Sequence, residues 1–409
     1  MPPPASGPKR NVSPVVYSSR MSGLPASSVA RIASPAPVRL DALELRLVRL
    51  PLREPFEVSF GRMESRLLFL IRLEAEGTAG WGEVVAWERP LFSYETVETA
   101  RHAIRDFFAP ALFEGRVGSL ADVAARFAPF RGHPMARAGI ELAYVDLVAR
   151  LRGEPLARVL GGTRERVAVG VSLGIQPRLD ALLTRVDHYL ELGYQRIKVK
   201  IKPGWDVDVM REVRRRHPGI LLSADANAAY TLADREHLKG LDPAALLMIE
   251  QPLDHDDILD HATLQRELTT DLCLDESITG LARARQALDI GACRIVNMKV
   301  GRVGGYSQAL AIHDLCLSRG VPLWCGGMLE SGIGRAHNVA LASLPGFTLP
   351  GDISASRRYF ARDIIAPEVE VAPDGTIAVP HGPGLGFEVD IPFLESHGEA
   401  VERLARPRP

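Results

Sequence analysis

Arg196-Ile197-Lys198-Val199-Lys200-Ile201-Lys202, followed by runs that end at Asp225, Glu250 and Asp275, is the stretch that decides the fold. Apolar and basic residues alternate in the first run. Successive side chains of a strand point to opposite faces, so Ile197, Val199 and Ile201 share one face and Lys198, Lys200 and Lys202 the other. The apolar face belongs against helices, which turns the lysines inward. An exposed edge strand with a solvated lysine face is the simpler alternative, but a closed barrel has no edge.

Closure is read from the flanking sequence. Short apolar strands alternate with amphipathic helical segments at Val167-Leu173, Arg196-Ile201, Ile220-Asp225, Leu246-Glu250, Asp271-Asp275, Arg294-Lys299, Val321-Gly326 and Phe347-Leu349. Eight such units predict an α/β barrel rather than an open sheet. The Gly-Ile-Gln-Pro stretch after the first strand supplies no Gly-rich phosphate turn of the kind an open doubly wound sheet carries.

Three acids end three consecutive strands, Asp225, Glu250 and Asp275, at intervals of 25 residues. Neighbouring strands lie about 4.8 Å apart, so the three carboxylates are expected to converge at the C-terminal rim, where barrel active sites sit. A single acid there would read as a helix cap. Three converged carboxylates need a cation, and all-oxygen ligands select a hard one such as Mg²⁺, with Mn²⁺ able to take its place. Strand six ends at Lys299, across the barrel from strand two. Lys200 and Lys299 are therefore expected to flank a ligand bound on the metal between them.

Leu40 to Gly162 reads differently. Strand-like runs at Leu43-Val48 and Leu67-Leu73 are interrupted by Gly80-Trp81-Gly82-Glu83. Helical patterns follow at Ser93-Phe108, Leu120-Phe127 and Met135-Leu151. This order predicts an α+β domain over residues 40–162. The barrel is expected over 163–353, and 354–409 is expected to return to the first domain. Residues 1–39 are expected to be a disordered or over-extended tail, dispensable for catalysis. The first 40 residues contain no acid, five Lys or Arg, and many Pro, Ser and Ala, a composition that buries little apolar surface.

The whole chain has 409 residues, 46% hydrophobic and 24% charged, with a net charge of -1. That balance argues against a polyanion-binding role, so no nucleic-acid partner is expected. No apolar run approaches the roughly 20 residues of a membrane helix, and no membrane partner is expected either. Cys273, Cys293, Cys316 and Cys325 form no CxxC pair, which fits a reducing, cytoplasmic setting.

The segments KVKIKPGWD, SADANAAYTLAD, IEQPL, CLDES, NMKVGRVGG and WCGGMLESGIGRAHN occur in order and resemble the enolase superfamily. The resemblance covers about Leu40 to Gly386. GGMLESGIGRAHN followed by LPGDISAS is most similar to the o-succinylbenzoate synthase / N-succinylamino acid racemase group. It implies a modified (β/α)7β barrel with an α+β capping domain. It further implies Asp225, Glu250 and Asp275 as Mg²⁺ ligands, Lys200 and Lys299 as the bases on the two faces, and Lys198 on the substrate carboxylate. Asn227, Ser172, Gly327 and Met328 match substrate-contacting positions, and Phe56 to Arg62 resembles the capping loop. Arg302, three residues after Lys299, either tunes that lysine or serves as a structural ion-pair partner.

The expected chemistry is removal of the proton next to a carboxylate. As a synthase, the enzyme would dehydrate 2-succinyl-6-hydroxy-2,4-cyclohexadiene-1-carboxylate to 2-succinylbenzoate. As a racemase, it would return the proton to the opposite face of an N-succinylamino acid. The synthase is the favoured expectation. A sugar-acid dehydratase would want a His near the end of strand seven, and a dipeptide epimerase an Asp-x-Asp near strand eight. Neither is present. A non-catalytic scaffold is disfavoured because every ligand and lysine position is filled. The partner is expected to be a small-molecule carboxylate, with the chain a homo-oligomer.

Overall fold

A computed structural model describes residues 28–58 and 61–406. The N-terminal part is a four-stranded antiparallel sheet. Gly398–Ala405 pairs with Leu40–Val58, which pairs with Gly61–Ala75, which pairs with Thr78–Val84. The alternating Leu43, Leu45 and Leu47 and the run Leu67 to Leu73 lay down its buried face. Helix Pro134–Arg152 packs on the Thr78–Val84 strand. Gly80-Trp81-Gly82 thus lies inside a strand rather than interrupting one. A Cβ at Gly80 or Gly82 would stand 2.2 Å from a carbonyl oxygen of that helix, Ala143 O or Gly139 O. The glycines are there for close strand–helix approach.

The barrel contains seven parallel strands in sequential order: Gly170–Leu173, Arg196–Lys200, Leu221–Asp225, Met248–Glu250, Leu272–Leu274, Ile295–Met298 and Leu323–Cys325. Register places Lys200 opposite Asp225 and Asp225 opposite Glu250. The expected eighth strand at Phe347-Leu349 is instead an irregular segment that fills the same gap. Thr348 N donates to Leu323 O at 3.1 Å, Gly170 N to Gly351 O at 2.7 Å, and Asp352 N to Cys325 O at 2.8 Å. Pro350 has no N–H to continue a ladder. Inside the barrel, Met248, Cys273, Ile295 and Trp324 form a small apolar cluster of their own.

Residues 28–38 correct the expectation of a disordered tail reaching residue 39; residues 1–27 lie outside the described residues. Ser28–Arg31 is a helical turn, and Ala33–Val38 pairs antiparallel with Val117–Ser119. Ile32 is fully buried, and Ser28 Oγ donates to Asp314 Oδ1 at 2.8 Å on barrel helix Tyr306–Arg319. The burial of Ile32 and Val38, the hydrogen bonds of Ser28 to Asp314 and the bond from Leu120 N to Ile32 O outweigh the loose composition. All four cysteines are free and buried. No helix among the described residues is long and apolar enough to cross a membrane.

Candidate active site

The second barrel strand turns Arg196, Lys198 and Lys200 inward. The Arg196 guanidinium and the Lys198 ammonium lie 4.5 and 4.7 Å from the Trp324 ring centroid. Lys202 does not continue this face, because the strand stops at Lys200 and Lys202 enters a turn with Trp205. Lys198, Lys200 and Lys299 are all buried.

Each lysine is held by acids. Lys198 Nζ stands 2.9 Å from Asp225 Oδ2, 2.8 Å from Glu250 Oε2 and 2.7 Å from Asp352 Oδ2. Lys200 Nζ is 2.7 Å from Asp225 Oδ2 and donates to Asn227 Oδ1 at 2.5 Å. Lys299 Nζ is 2.6 Å from Asp275 Oδ2, and Arg302 pairs with the other oxygen of Asp275. Burial works to lower the Lys198 pKa, yet Asp225, Asp352 and Glu250 together hold it well above the ordinary lysine range. Burial also raises Asp225, but the charges of Lys198 and Lys200 overcome that and hold its carboxyl far below normal. Glu250 moves the other way, raised by burial and by the neighbouring Asp225 charge.

Each of the three acids expected to hold the metal is engaged by a neighbouring cation. Among the described residues, no three His, Cys, Asp or Glu side chains are grouped tightly enough to hold a metal ion. The reason is charge: Lys198 stands between Asp225 and Glu250, while Lys299 and Arg302 occupy Asp275. The donor set still suits a hard divalent cation. It is all carboxylate oxygen, buried, and placed at the ends of adjacent strands.

The remaining expected residues divide. Ser172, Asn227, Gly327 and Met328 line one cavity of about 60 Å³ together with Lys198, Lys200 and Lys299. Arg302 lies behind it, donating to Ile278 O at 2.9 Å and Asn297 O at 2.6 Å. Phe56, Trp87 and Phe92 close the cavity from the N-terminal domain, with Phe92 4.6 Å from Lys299 Nζ. Of the expected capping loop, residues 59 and 60 lie outside the described residues. Asn227, Ala228 and Leu329 hold φ of 43°, 61° and 60° at this rim, a strain that clusters at functional sites.

Several site residues escaped the sequence reading. Asn297 Nδ2 donates to Glu250 Oε1 at 2.8 Å. Its place two residues before Lys299 on one strand face was the available signal. Glu276 Oε1 accepts from Asn227 Nδ2 at 2.9 Å. Asp352 joins Lys198 to Arg196 from the irregular eighth segment, where no periodicity marks it.

This fold and this lysine–carboxylate site define the enolase superfamily, and the chain belongs to it. Residues 181–393 match the enolase C-terminal domain-like family, and residues 42–161 match the mandelate racemase / muconate lactonizing enzyme N-terminal domain. Within it, the chain is 52% identical over 370 residues to an o-succinylbenzoate synthase of Geobacillus kaustophilus, covering 90% of this chain and 98% of that one. It is 50% identical over 358 residues to an N-succinylamino acid racemase of Thermus thermophilus, covering 88% and 97%. A crystal structure of an enolase superfamily member from Listeria innocua superposes with a TM-score of 0.88 at 40% identity, covering 90% of this chain and all of that one.

Proposed function

We propose that this chain is an o-succinylbenzoate synthase, dehydrating 2-succinyl-6-hydroxy-2,4-cyclohexadiene-1-carboxylate to 2-succinylbenzoate. The observation that carries the reading is that Lys200 and Lys299, from strands two and six, line one cavity with Lys198. Asp225, Glu250 and Asp275 would hold Mg²⁺, which would supply positive charge for the substrate carboxylate when bound.

Lys200, in its neutral form, removes the proton next to the substrate carboxylate. Lys198 stands 2.7 Å from Asp352 Oδ2, an acid left outside the metal set, and its charge stabilises the enediolate oxygens. Asn227 fixes the direction of Lys200 Nζ and is itself fixed by Glu276. Lys200 then returns its proton to the departing β-hydroxyl. Lys299 stands by as a cation, positioned through Asp275 by Arg302. Phe56, Trp87 and Phe92 exclude water.

A second reading is N-succinylamino acid racemisation by the same residues. It is favoured by Lys299, which places a second base across the cavity from Lys200. Similarity to curated relatives of both activities supports each. The test is a comparison of kcat/KM for the cyclohexadiene and for N-succinylamino acids with purified, Mg²⁺-loaded protein. The synthase reading expects the first to be the larger. Turnover of neither substrate, or full activity after exhaustive chelation, overturns it.

A further inference from the structure

Beside the lysine cavity lies a second cavity of about 380 Å³, and Phe56 and Tyr359 line both. Arg358 lines the second one. Its guanidinium stacks 4.8 Å from the Tyr189 ring centroid and 5.1 Å from that of Tyr359, and it donates one hydrogen bond to Ser172 O. Its Nε and Nη1 are shielded from solvent and have no hydrogen-bond partner. Among the described residues no carboxylate pairs with Arg358, whereas the nearby Arg185 is paired with Glu54 at 2.7 Å. Ser172 Oγ, which faces the lysine cavity from the same peptide, is also buried without a partner.

A shielded guanidinium with two unused N–H groups is costly unless something fills its hydrogen-bonding capacity. The planar fork of Arg matches a carboxylate. Two stacked tyrosines hold that fork in place, so little side-chain entropy remains to be lost when an anion binds.

We propose that Arg358, with the Ser172 hydroxyl, receives a second carboxylate carried by the substrate at the end remote from the reacting centre. The enzyme thereby selects dicarboxylates over monocarboxylates of the same shape. This rests on the proposed function for the identity of the substrate, and adds the residue that reads its far end. Arg358 takes no part in proton transfer: it acts on binding, so its loss raises KM and leaves kcat nearly unchanged.

The test uses the full-length, Mg²⁺-loaded protein and two probes, 2-succinylbenzoate and 2-butyrylbenzoate, the latter lacking the remote carboxylate. Calorimetric titration of the wild-type protein is expected to show tighter binding of the dicarboxylate. Arg358→Met is expected to weaken 2-succinylbenzoate about 10- to 100-fold, the range for a lost charge-assisted hydrogen bond, and to leave 2-butyrylbenzoate unchanged. Arg358→Lys keeps the charge without the fork and is expected to fall between them. A structural role would weaken both probes alike. Equal losses on both probes, no loss on either, or no wild-type preference for the dicarboxylate each overturn the proposal. Melting temperatures of both variants separate misfolding from lost recognition, and Arg358→Lys carries the test should Arg358→Met not fold. Because these are binding measurements, absence of turnover would count against the proposed function alone.

Discussion

Lys198→Met should destabilise the metal-free protein and make it respond more strongly to Mg²⁺. Lys198 Nζ touches three buried carboxylates at 2.7 to 2.9 Å. Methionine fills similar volume but leaves Asp225, Glu250 and Asp352 with one charge fewer between them. Removing one partner of a buried ion pair costs about 3–5 kcal/mol. Like charges about 4 Å apart at an effective dielectric of about 20 repel by about 4 kcal/mol, so the two figures agree. Arg196 still holds Asp352, and Lys200 still holds Asp225, which places the expected loss near the lower figure. A bound cation restores what the lysine supplied. At a metal concentration about 100 times Kd the gain is about 2.7 kcal/mol, similar in size to the loss. In the wild type the cation displaces an ammonium already in place, so its net gain is smaller. The assay is the thermal midpoint of both proteins, chelated and Mg²⁺-saturated. The midpoint should drop in chelated Lys198→Met and rise on metal addition by more than in the wild type. Equal metal-induced rises in the two proteins would refute the idea that lysine and metal answer the same negative charge.

Other perturbations follow from the same structure. Glu83, Glu95 and Glu141 are each held up to about 7 by burial, from an ordinary value of 4.5. At these three groups the folded state binds more protons than the unfolded one between those values, so their contribution is fullest below about 4.5 and falls as pH rises through 7, outweighing the opposite contribution of His337, which burial lowers to about 4. Each group contributes about 3 kcal/mol at most, read as a melting temperature that is higher at pH 5 than at pH 8; the opposite slope would contradict it. A chain starting at Leu40 loses the burial of Ile32 and Val38 and the Ser28–Asp314 bond. It should be less stable by about 3–6 kcal/mol in denaturant titration, with an unchanged midpoint as the contrary outcome. Gly326→Ala would set a Cβ 2.2 Å from Asn297 Oδ1, the side chain that holds Glu250. It should cut kcat about tenfold or more with little change in melting temperature, and full activity would show that Asn297 has room to move.

What the sequence disclosed, and what it hid, has a physical pattern. Lys198, Lys200 and the three acids were legible because strand period and equal spacing are local properties that survive without coordinates. Asp352 was not, since it reaches Lys198 from a segment broken by Pro350, where no period exists. Arg358 and Phe92 act through contacts with distant parts of the chain, and nothing in their neighbouring residues announces that. Residues 28–38 misled because composition averages over a segment, while a few residues, Ile32, Val38 and Ser28, anchor it. Gly80 and Gly82 read as a break for a related reason: their purpose lies in helix Pro134–Arg152, more than 50 residues later. Arg196 in place of Lys202 on the inner face reflects a strand boundary two residues earlier than the alternation implied.

The central claim is that Lys200 and Lys299 stand on opposite faces of one substrate, and α-proton exchange tests it most directly. Purified wild-type protein, Lys200→Ala and Lys299→Ala would each be incubated in deuterium oxide with the separate enantiomers of an N-succinylamino acid, and deuterium incorporation followed by proton NMR. A base is needed on the side from which a proton leaves. The wild type should therefore exchange both enantiomers, Lys200→Ala should lose exchange of one, and Lys299→Ala should lose exchange of the other. Loss of the same enantiomer in both variants would contradict the two-face arrangement.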